Sequence, residues 1–187
     1  VFVISSGHFV HDVYSAFLAP LLPLLIEKLS LTLTMAGSLS AFMQFPALLN
    51  PLIGRIADKS NARYFVVFAP AVTATLMTLM GLAPNYYALL ALLIVVGISV
   101  ASFHAPAPAM IARVSGNRVG KAMGWFMAGG ELGRTLGPIF AVWAVTTFTL
   151  EGMSRIAILG WLTSIILFWR LKDIPIEKKE RTGLREV

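Results

Sequence analysis

Three side chains near the N-terminus have the types and the spacing of an acid–base site. His8 and His11 are three residues apart and His8 and Asp12 are four apart, so a helix places all three on one face. A carboxylate beside an imidazole sets the protonation of that imidazole near neutral pH. The triad therefore predicts a site that binds a proton or a substrate. The alternative is a buried polar knot that fixes this helix to a neighbour.

Three more ionisable residues lie inside apolar runs further along the chain. His104 is one, and Glu131 and Arg134 form the other group, at a spacing of three residues that suits an ion pair within one helix. Such a pair is either structural or a gate that a charged substrate opens. The residue types also permit a metal site, but there is no His-Glu-x-x-His motif. We therefore expect no metal and no cofactor.

The composition decides the class of protein that carries these residues. Of 187 residues, 57% are hydrophobic, 13% are charged and none is cysteine. A soluble chain of this length has too small a core to bury so much apolar side chain, and a disordered chain is poor in apolar residues. The absence of cysteine excludes disulfide scaffolds and thiol catalysis. The sequence therefore predicts an integral membrane protein.

Six apolar runs are long enough to cross a bilayer, which takes about 20 residues as a helix. We predict an all-α membrane bundle over 1–169, followed by a basic tail over 170–187. The predicted spans are 1–26, 33–56, 64–83, 86–112, 122–147 and 153–169.

The basic residues cluster between these spans and predict the orientation of the chain. Twelve Lys and Arg residues lie in the loops after the second and fourth spans and in the tail, whereas Lys28 and Arg155 lie on the other side. Basic loops remain in the cytoplasm, so these loops and the tail are expected there. Basic residues confined to short loops also argue against nucleic-acid binding.

The ionisable residues divide the spans into two groups. His8, His11 and Asp12 lie in the first span, His104 in the fourth, and Glu131 and Arg134 in the fifth. Charged groups inside a membrane face a cavity or a partner helix, so we expect these three spans to face inward. The third and sixth spans carry no such group between their ends and are expected to face lipid. In the fifth span Gly129, Gly133 and Gly137 form a groove for a neighbouring helix.

Two motifs resemble signatures of the major facilitator superfamily. Gly54, Asp58, Lys59 and Arg63 match the signature of the cytoplasmic loop between helices 2 and 3, although Asn61 and Ala62 replace its Gly and Arg. In that family, the aspartate caps a neighbouring helix and pairs with basic residues in the state closed to the cytoplasm. The second motif, in the fifth span, resembles the antiporter signature through Gly124, Gly133, Gly137 and Pro138.

The segments from Gly7 to Asp12 and from Phe103 to Pro106 are similar, more narrowly, to the fosmidomycin-resistance branch of these exporters. That branch has His directly before Pro and then an acid, whereas Ala105 intervenes here and Ala107 replaces the acid. The family fold has twelve helices in two halves, each half being two inverted three-helix repeats. The resemblance therefore implies that this chain is one half, the N-terminal one.

The resemblance implies proton-coupled efflux of small organic molecules or drugs, in a bacterial inner membrane, by alternating access. The partners are then a small-molecule substrate, the lipid bilayer, and either a C-terminal half or a second copy of this chain. Two other functions remain open: a non-transporting membrane subunit, and an enzyme that uses the histidines and Asp12. We predict no enzyme, because the sequence offers no nucleophile and base beside those histidines.

Asp12 is the first candidate for the coupling proton, because it lies near the middle of the first span. Glu131 is the competing candidate, held in check by Arg134. His104, on the second cavity helix, is expected to affect substrate affinity. This half alone is not expected to transport, because its inward helices need a second wall.

Overall fold

The computed structural model describes residues 1–172, with the exception of the side chain of Asp58. The predicted tail beyond residue 172 lies outside the described residues. The described part of the chain is helical and has no strand. Its helices are α1 (Phe2–Ser15), α2 (Leu18–Leu29), α3 (Leu33–Gln44), α4 (Asn50–Lys59), α5 (Ala62–Thr78), α6 (Tyr86–His104), α7 (Ala107–Val114), α8 (Val119–Gly152) and α9 (Ala157–Leu171).

Among the described residues, four helical stretches are long and apolar enough to cross a membrane: Phe2–Leu29, Ala62–Leu82, Tyr86–Val114 and Gly116–Leu171. The last has 56 residues. A straight helix of that length measures about 84 Å, almost three times the thickness of a hydrocarbon core. The chain instead turns at Thr149, whose φ of 65° is positive. This stretch therefore contains the fifth and sixth predicted spans.

The second predicted span, 33–56, is not among these four stretches. It folds as α3, a 3₁₀ turn over Phe45–Leu49, and α4. Pro46 begins the turn and Pro51 begins α4, and each lacks the backbone donor that a continuous helix needs. Polar residues such as Gln44 and Asn50 lower the hydropathy of the stretch. The count of six spans stays a prediction at this point.

The first predicted span, 1–26, is not one regular helix. It is interrupted at Ala16 and Phe17, between α1 and α2. The cause is Pro20, because a proline ring clashes with the carbonyl four residues before it, which here belongs to Ala16. The Phe17 N–H donates to the Tyr14 carbonyl, a tighter turn than the α-helix makes. The interruption lies one turn beyond Asp12.

The pattern of helix contacts is that of two related halves. α1 packs along α8, as α3 and α4 pack along α6. α5 contacts α6, as α9 contacts α1, and α5 packs against α9. Exchanging the first three spans with the last three leaves these contacts unchanged, although α1 packs on α5 more extensively than α6 packs on α9. Two inverted three-helix repeats give this arrangement.

The outer surface of α9 is apolar, as a helix that faces lipid requires. Its exposed side chains are Ile158, Leu159, Trp161, Leu162, Ile165, Ile166, Phe168 and Trp169. The expectation that the third span only faces lipid is wrong for α5. Tyr64 and Phe68 are exposed, but Thr73 is fully buried against α1. A buried hydroxyl needs a hydrogen-bond partner, and Thr73 finds one in His11.

Candidate functional site

The site is centred on the carboxylate of Asp12, which is only 1% exposed. Four nitrogen atoms surround it. His11 Nδ1 lies 2.9 Å and His104 Nε2 3.2 Å from Oδ1. His8 Nε2 and Arg134 Nε both lie 3.3 Å from Oδ2. A carboxylate buried in a membrane protein is stable only with such compensation, so these contacts form one unit.

Three helices that are distant in sequence bring these groups together. α1 supplies His8, His11 and Asp12 from one face, α6 supplies His104, and α8 supplies Arg134. His104 is the last residue of α6, immediately before the break that Pro106 causes. Ending the helix there leaves the imidazole at the mouth of the cluster.

A chain of buried hydroxyl groups fixes the orientation of His11. Thr73 Oγ1 lies 3.2 Å from His11 Nε2 and 2.9 Å from Ser99 Oγ. If Ser99 donates to Thr73 and Thr73 donates to His11 Nε2, the proton of His11 is on Nδ1 and points at Asp12. The His11 ring also stacks on Phe103, with centroids 4.4 Å apart. His11 is therefore held as a neutral donor to the carboxylate.

His8 has a different set of partners. Its Nδ1 lies 2.8 Å from the carbonyl oxygen of Phe126, which only accepts, so Nδ1 carries a proton and donates. The ring stacks on Phe126 at a centroid distance of 4.0 Å. Its Nε2 is buried without a hydrogen bond of good geometry among the described residues, although it faces Asp12.

Glycines of α8 allow α1 to approach this closely. Gly129, Gly133 and Gly137 each lie against a main-chain carbonyl of α1, those of Ser5, Phe9 and Val13 in turn. A Cβ at any of the three would collide with that carbonyl. The glycine groove of the fifth span thus receives the helix that carries Asp12.

Two other members of the antiporter-like motif lie outside this contact. Gly124 has open space where a Cβ would be. α8 continues through Pro138 as a helix, and its only non-helical backbone angles are those of Thr149. Gly130, between two predicted positions of α8, lies directly against the His8 ring, so that a Cβ there would collide with it.

On one side, the cluster is partly exposed at the surface of the described bundle. His104 is 30% exposed and Arg134 50% exposed. Arg134 Nη2 lies 3.1 Å from Oε1 of Glu131, which is 64% exposed. The guanidinium therefore bridges a buried and an exposed carboxylate. We call the surface formed by His104, Glu131 and Arg134 the open face.

The expectation that the triad needs a second wall is wrong for His8, His11 and Asp12. This chain itself buries all three almost completely. Small residues on α8 and the aromatic rings of Phe103 and Phe126 fill the space that we assigned to a cavity. Among the described ionisable residues of the site, those of the open face are the ones that this chain leaves partly exposed.

The loop motif lies elsewhere, at the end of the bundle where α4, α5 and α9 meet. Arg63 donates to the carbonyl of Leu171, 3.1 Å away, and to that of Lys172, and so satisfies the last turn of α9. Gly54 has open space around it and Lys59 is exposed. The Asp58 side chain lies outside the described residues, so its predicted role in the motif stays a prediction.

A second ion pair closes the opposite end of the bundle. Lys28, at the end of α2, pairs with Glu151 and also donates to the carbonyl of Gly81. One ammonium group thus ties together three connections between helices. The hydrogen bond from Lys28 holds the pKa of Glu151 below its usual value. Both side chains are partly or largely exposed.

His8, Asp12 and His104 are also the residues that could hold a metal ion. Their ligand atoms lie within 4.8 Å of one another. The donation from His8 Nδ1 to a main-chain carbonyl is the second contact that a metal-binding histidine usually makes. The guanidinium of Arg134, however, lies against the same carboxylate and opposes a divalent cation there.

Thr73, Ser99 and the Phe126 carbonyl were not predicted from the sequence. Thr73 and Ser99 are each one of several hydroxyl residues in an apolar run, and hydroxyl residues there often bond to their own helix. A main-chain carbonyl leaves no signal at all. Pairing across helices requires the fold.

Residues 4–186 match a family model described as Major Facilitator Superfamily. The chain is 28% identical over 166 residues to the fosmidomycin resistance protein of Escherichia coli (strain K12), covering 88% of this chain and 41% of the relative. It is 31% identical over 191 residues to the multidrug resistance protein MdtG of Citrobacter koseri, covering 97% of this chain and 47% of the relative. The chain thus spans less than half the length of these relatives.

Proposed function

Because this chain belongs to the major facilitator superfamily, a family of membrane transporters, we propose that it forms the N-terminal half of a proton-coupled exporter of small organic molecules. Relatives named for fosmidomycin resistance and multidrug resistance support the outward direction. The similarity to these relatives also argues for a transporter over an enzyme.

The observation that carries the proposal is the buried carboxylate of Asp12 with its exit to the open face. This carboxylate contacts two partly exposed side chains, His104 and Arg134, which are 30% and 50% exposed. Arg134 already contacts a second carboxylate, Glu131. Movement of the guanidinium from Asp12 to Glu131 changes how well the buried charge is compensated, and this change favours binding or release of a proton.

The exposed charges of the open face support a further partner in the membrane. Glu131 and Arg134 are both at least half exposed and lie in a span that crosses the hydrocarbon core. Lipid contact would be costly for both, so a second six-helix half, or a second copy of this chain, covers the open face. The substrate binds between the two halves, against His104 and Arg134.

The proposed location is a bacterial inner membrane, with the basic loops and tail in the cytoplasm. The asymmetry of Lys and Arg between the two ends of the bundle supports this orientation. Arg63 then lies at the cytoplasmic end, and the Lys28–Glu151 pair at the outer end.

The test is export by the full gene product in proteoliposomes, with and without an imposed pH gradient. Fosmidomycin, which names one relative, is the first compound to try, followed by a panel of drugs. Asp12→Asn should abolish gradient-driven accumulation, while exchange of labelled for unlabelled compound continues. His104→Asn should instead lower apparent affinity.

Glu131→Gln is the matched control, since it neutralises the second carboxylate that Arg134 contacts. Gradient-driven export that survives Glu131→Gln and is lost in Asp12→Asn supports the proposal. Uphill export by Asp12→Asn at the wild-type rate would overturn the role of Asp12 and make Glu131 the better candidate.

A further inference from the structure

The close contact between His8 Nε2 and Asp12 Oδ2 requires that one of these two atoms carries a proton. The Nδ1 of His8 donates to the Phe126 carbonyl, so in a neutral ring Nε2 carries a lone pair. That lone pair would face Asp12 Oδ2 across 3.3 Å, inside a site shielded from water. Two acceptors at this distance repel each other unless a proton lies between them.

We infer that a proton occupies this contact and is carried by His8, so that Asp12 remains an ionised counter-ion. His11 Nδ1 and His104 Nε2 lie within hydrogen-bond distance of the Asp12 carboxylate, and the Arg134 guanidinium lies 3.3 Å from it. Hydrogen bonds to an ionised carboxylate and a positive charge beside it both favour the ionised form. The proton is therefore on the nitrogen and not on the oxygen.

The charges around His8 balance only with this proton in place. The charged and titratable groups near it are Asp12 and His11 on α1, His104 on α6, and Glu131 and Arg134 on α8. From α5, packed against α1, the neighbouring polar group is the hydroxyl of Thr73. Two carboxylates oppose one guanidinium, so the proton on His8 makes the cluster neutral. Neutrality is favoured where the dielectric constant is low.

His11 does not compete for the role. When Thr73 donates to its Nε2, its Nδ1 donates to Asp12, and both ring nitrogens are satisfied by one proton. His8 is also the histidine enclosed most tightly by α8, with Gly130 and Phe126 against its ring. The two imidazoles are therefore inequivalent, although the sequence places them on the same face.

The consequence of this assignment is that the His8 proton is the coupling proton. That consequence rests on the proposed function. On release, the Nε2–H bond breaks, its electron pair stays on nitrogen, and the proton passes to a water molecule at the open face. The contact with Asp12 then turns from attractive to repulsive. Asp12 is left to Arg134 and His104, the two donors on that face.

The test is ¹⁵N NMR of the full gene product labelled at histidine, at neutral pH in lipid. A protonated imidazolium has two N–H groups and is distinguished from both neutral tautomers. We expect one imidazolium signal that is lost in His8→Gln and persists in His11→Asn. An imidazolium absent from the wild type, or retained in His8→Gln, would overturn the inference.

A second variant covers the case in which His8→Gln does not fold. Asp12→Asn removes the counter-ion and should also abolish the imidazolium signal, whereas Glu151→Gln, which removes a carboxylate outside this cluster, should retain it. If His8→Gln folds, it should lose gradient-driven export, since its amide donates to Asp12 but carries no exchangeable charge. An imidazolium on His8 without any pH-driven export by the wild type would contradict the proposed function and leave the proton assignment standing.

Discussion

The structure has two charge clusters that differ in burial and in the segments they join. One is centred on Asp12 of α1, and the other is the pair of Lys28, in the last turn of α2, with Glu151. The Asp12 cluster is buried, joins α1, α6 and α8, and surrounds one carboxylate with four nitrogen atoms. The Lys28–Glu151 pair lies at the end of the bundle opposite Arg63, is 30% and 52% exposed, and joins connections between helices. Both bring together segments more than 90 residues apart in the chain.

Burial, and not the number of charges, distinguishes the proposed coupling site around Asp12 from the exposed Lys28–Glu151 pair. An exposed ion pair contributes about 0–1 kcal/mol, because water competes for both partners. A buried carboxylate loses that alternative, so each change in its partners carries a large free-energy cost. Under the proposed function, the buried cluster is therefore the one in which a proton movement would be accompanied by a movement of side chains.

The largest expected effect comes from separating the helices that bury Asp12. Gly133→Leu places a side chain against the Phe9 carbonyl and the Asp12 side chain. We expect a loss of about 3 kcal/mol or failure to accumulate in the membrane, because main-chain atoms cannot yield as side chains do. Thermal unfolding of the purified protein checks this.

Gly124→Leu is the matched control on the same helix, since open space surrounds Gly124. It should accumulate and unfold like the wild type. Equal behaviour of the two variants would mean that the α1–α8 contact does not hold the buried cluster together.

The next effect comes from removing a donor of the buried cluster. Arg134→Gln leaves Asp12 with one charged partner fewer, and we expect a loss of about 1–2 kcal/mol, because the guanidinium is half exposed and partly replaced by water. Arg134→Lys should recover part of it, since it restores the charge without the planar geometry. Chemical unfolding of all three proteins measures the difference, and an unchanged Arg134→Gln variant would contradict the contact.

A smaller effect follows from the hydroxyl chain behind His11. Thr73→Val removes the hydrogen bond to His11 Nε2 and should cost about 1 kcal/mol. Thr73→Ser keeps the hydroxyl and should restore most of that stability. A Thr73→Val variant as stable as Thr73→Ser would show that His11 does not depend on this donor.

The smallest effect is expected at the exposed pair, and it depends on pH. The pKa of Glu151 is lower in the folded protein than its ordinary value of 4.5, so the ionised form is favoured by folding. Its contribution is therefore present above that value and is lost as the pH falls through the lowered pKa. The melting temperature of Glu151→Gln should lie slightly below that of the wild type at neutral pH, and the difference should vanish in acid.

Glu27→Gln is the matched control, since Glu27 lies beside Lys28 in the same exposed region. It should not reproduce the pH-dependent difference. A difference for Glu151→Gln that grows in acid would reverse the sign of the argument.

Much of the fold could be predicted from the sequence because the apolar runs and the prolines act locally. Hydropathy alone indicates the membrane class, and Pro20 and Pro46 mark the interruptions that the structure has. Pro46 and Pro51 also account for the division of residues 33–59 into α3, a 3₁₀ turn and α4.

The candidate site could be predicted only in part. The spacing of His8 and Asp12 on one helix gives their contact, and that of Glu131 and Arg134 gives theirs. The contact of Arg134 with Asp12, and the burial of the triad within one half, depend on how closely α1 packs on α8. This close packing depends on glycines, which have no functional side chain that would mark them as part of a site.

The most direct measurement of the central claim is whether proton movement is linked to substrate movement and depends on Asp12. The full gene product is reconstituted in liposomes that contain a trapped pH-sensitive dye. Fosmidomycin, or another exported compound from the panel, then flows down its own concentration gradient with no imposed pH difference. Wild-type protein should change the internal pH as the compound crosses, and Asp12→Asn should carry the compound with no change in internal pH. A pH change of wild-type size in Asp12→Asn would contradict the claim that the buried cluster couples protons to export.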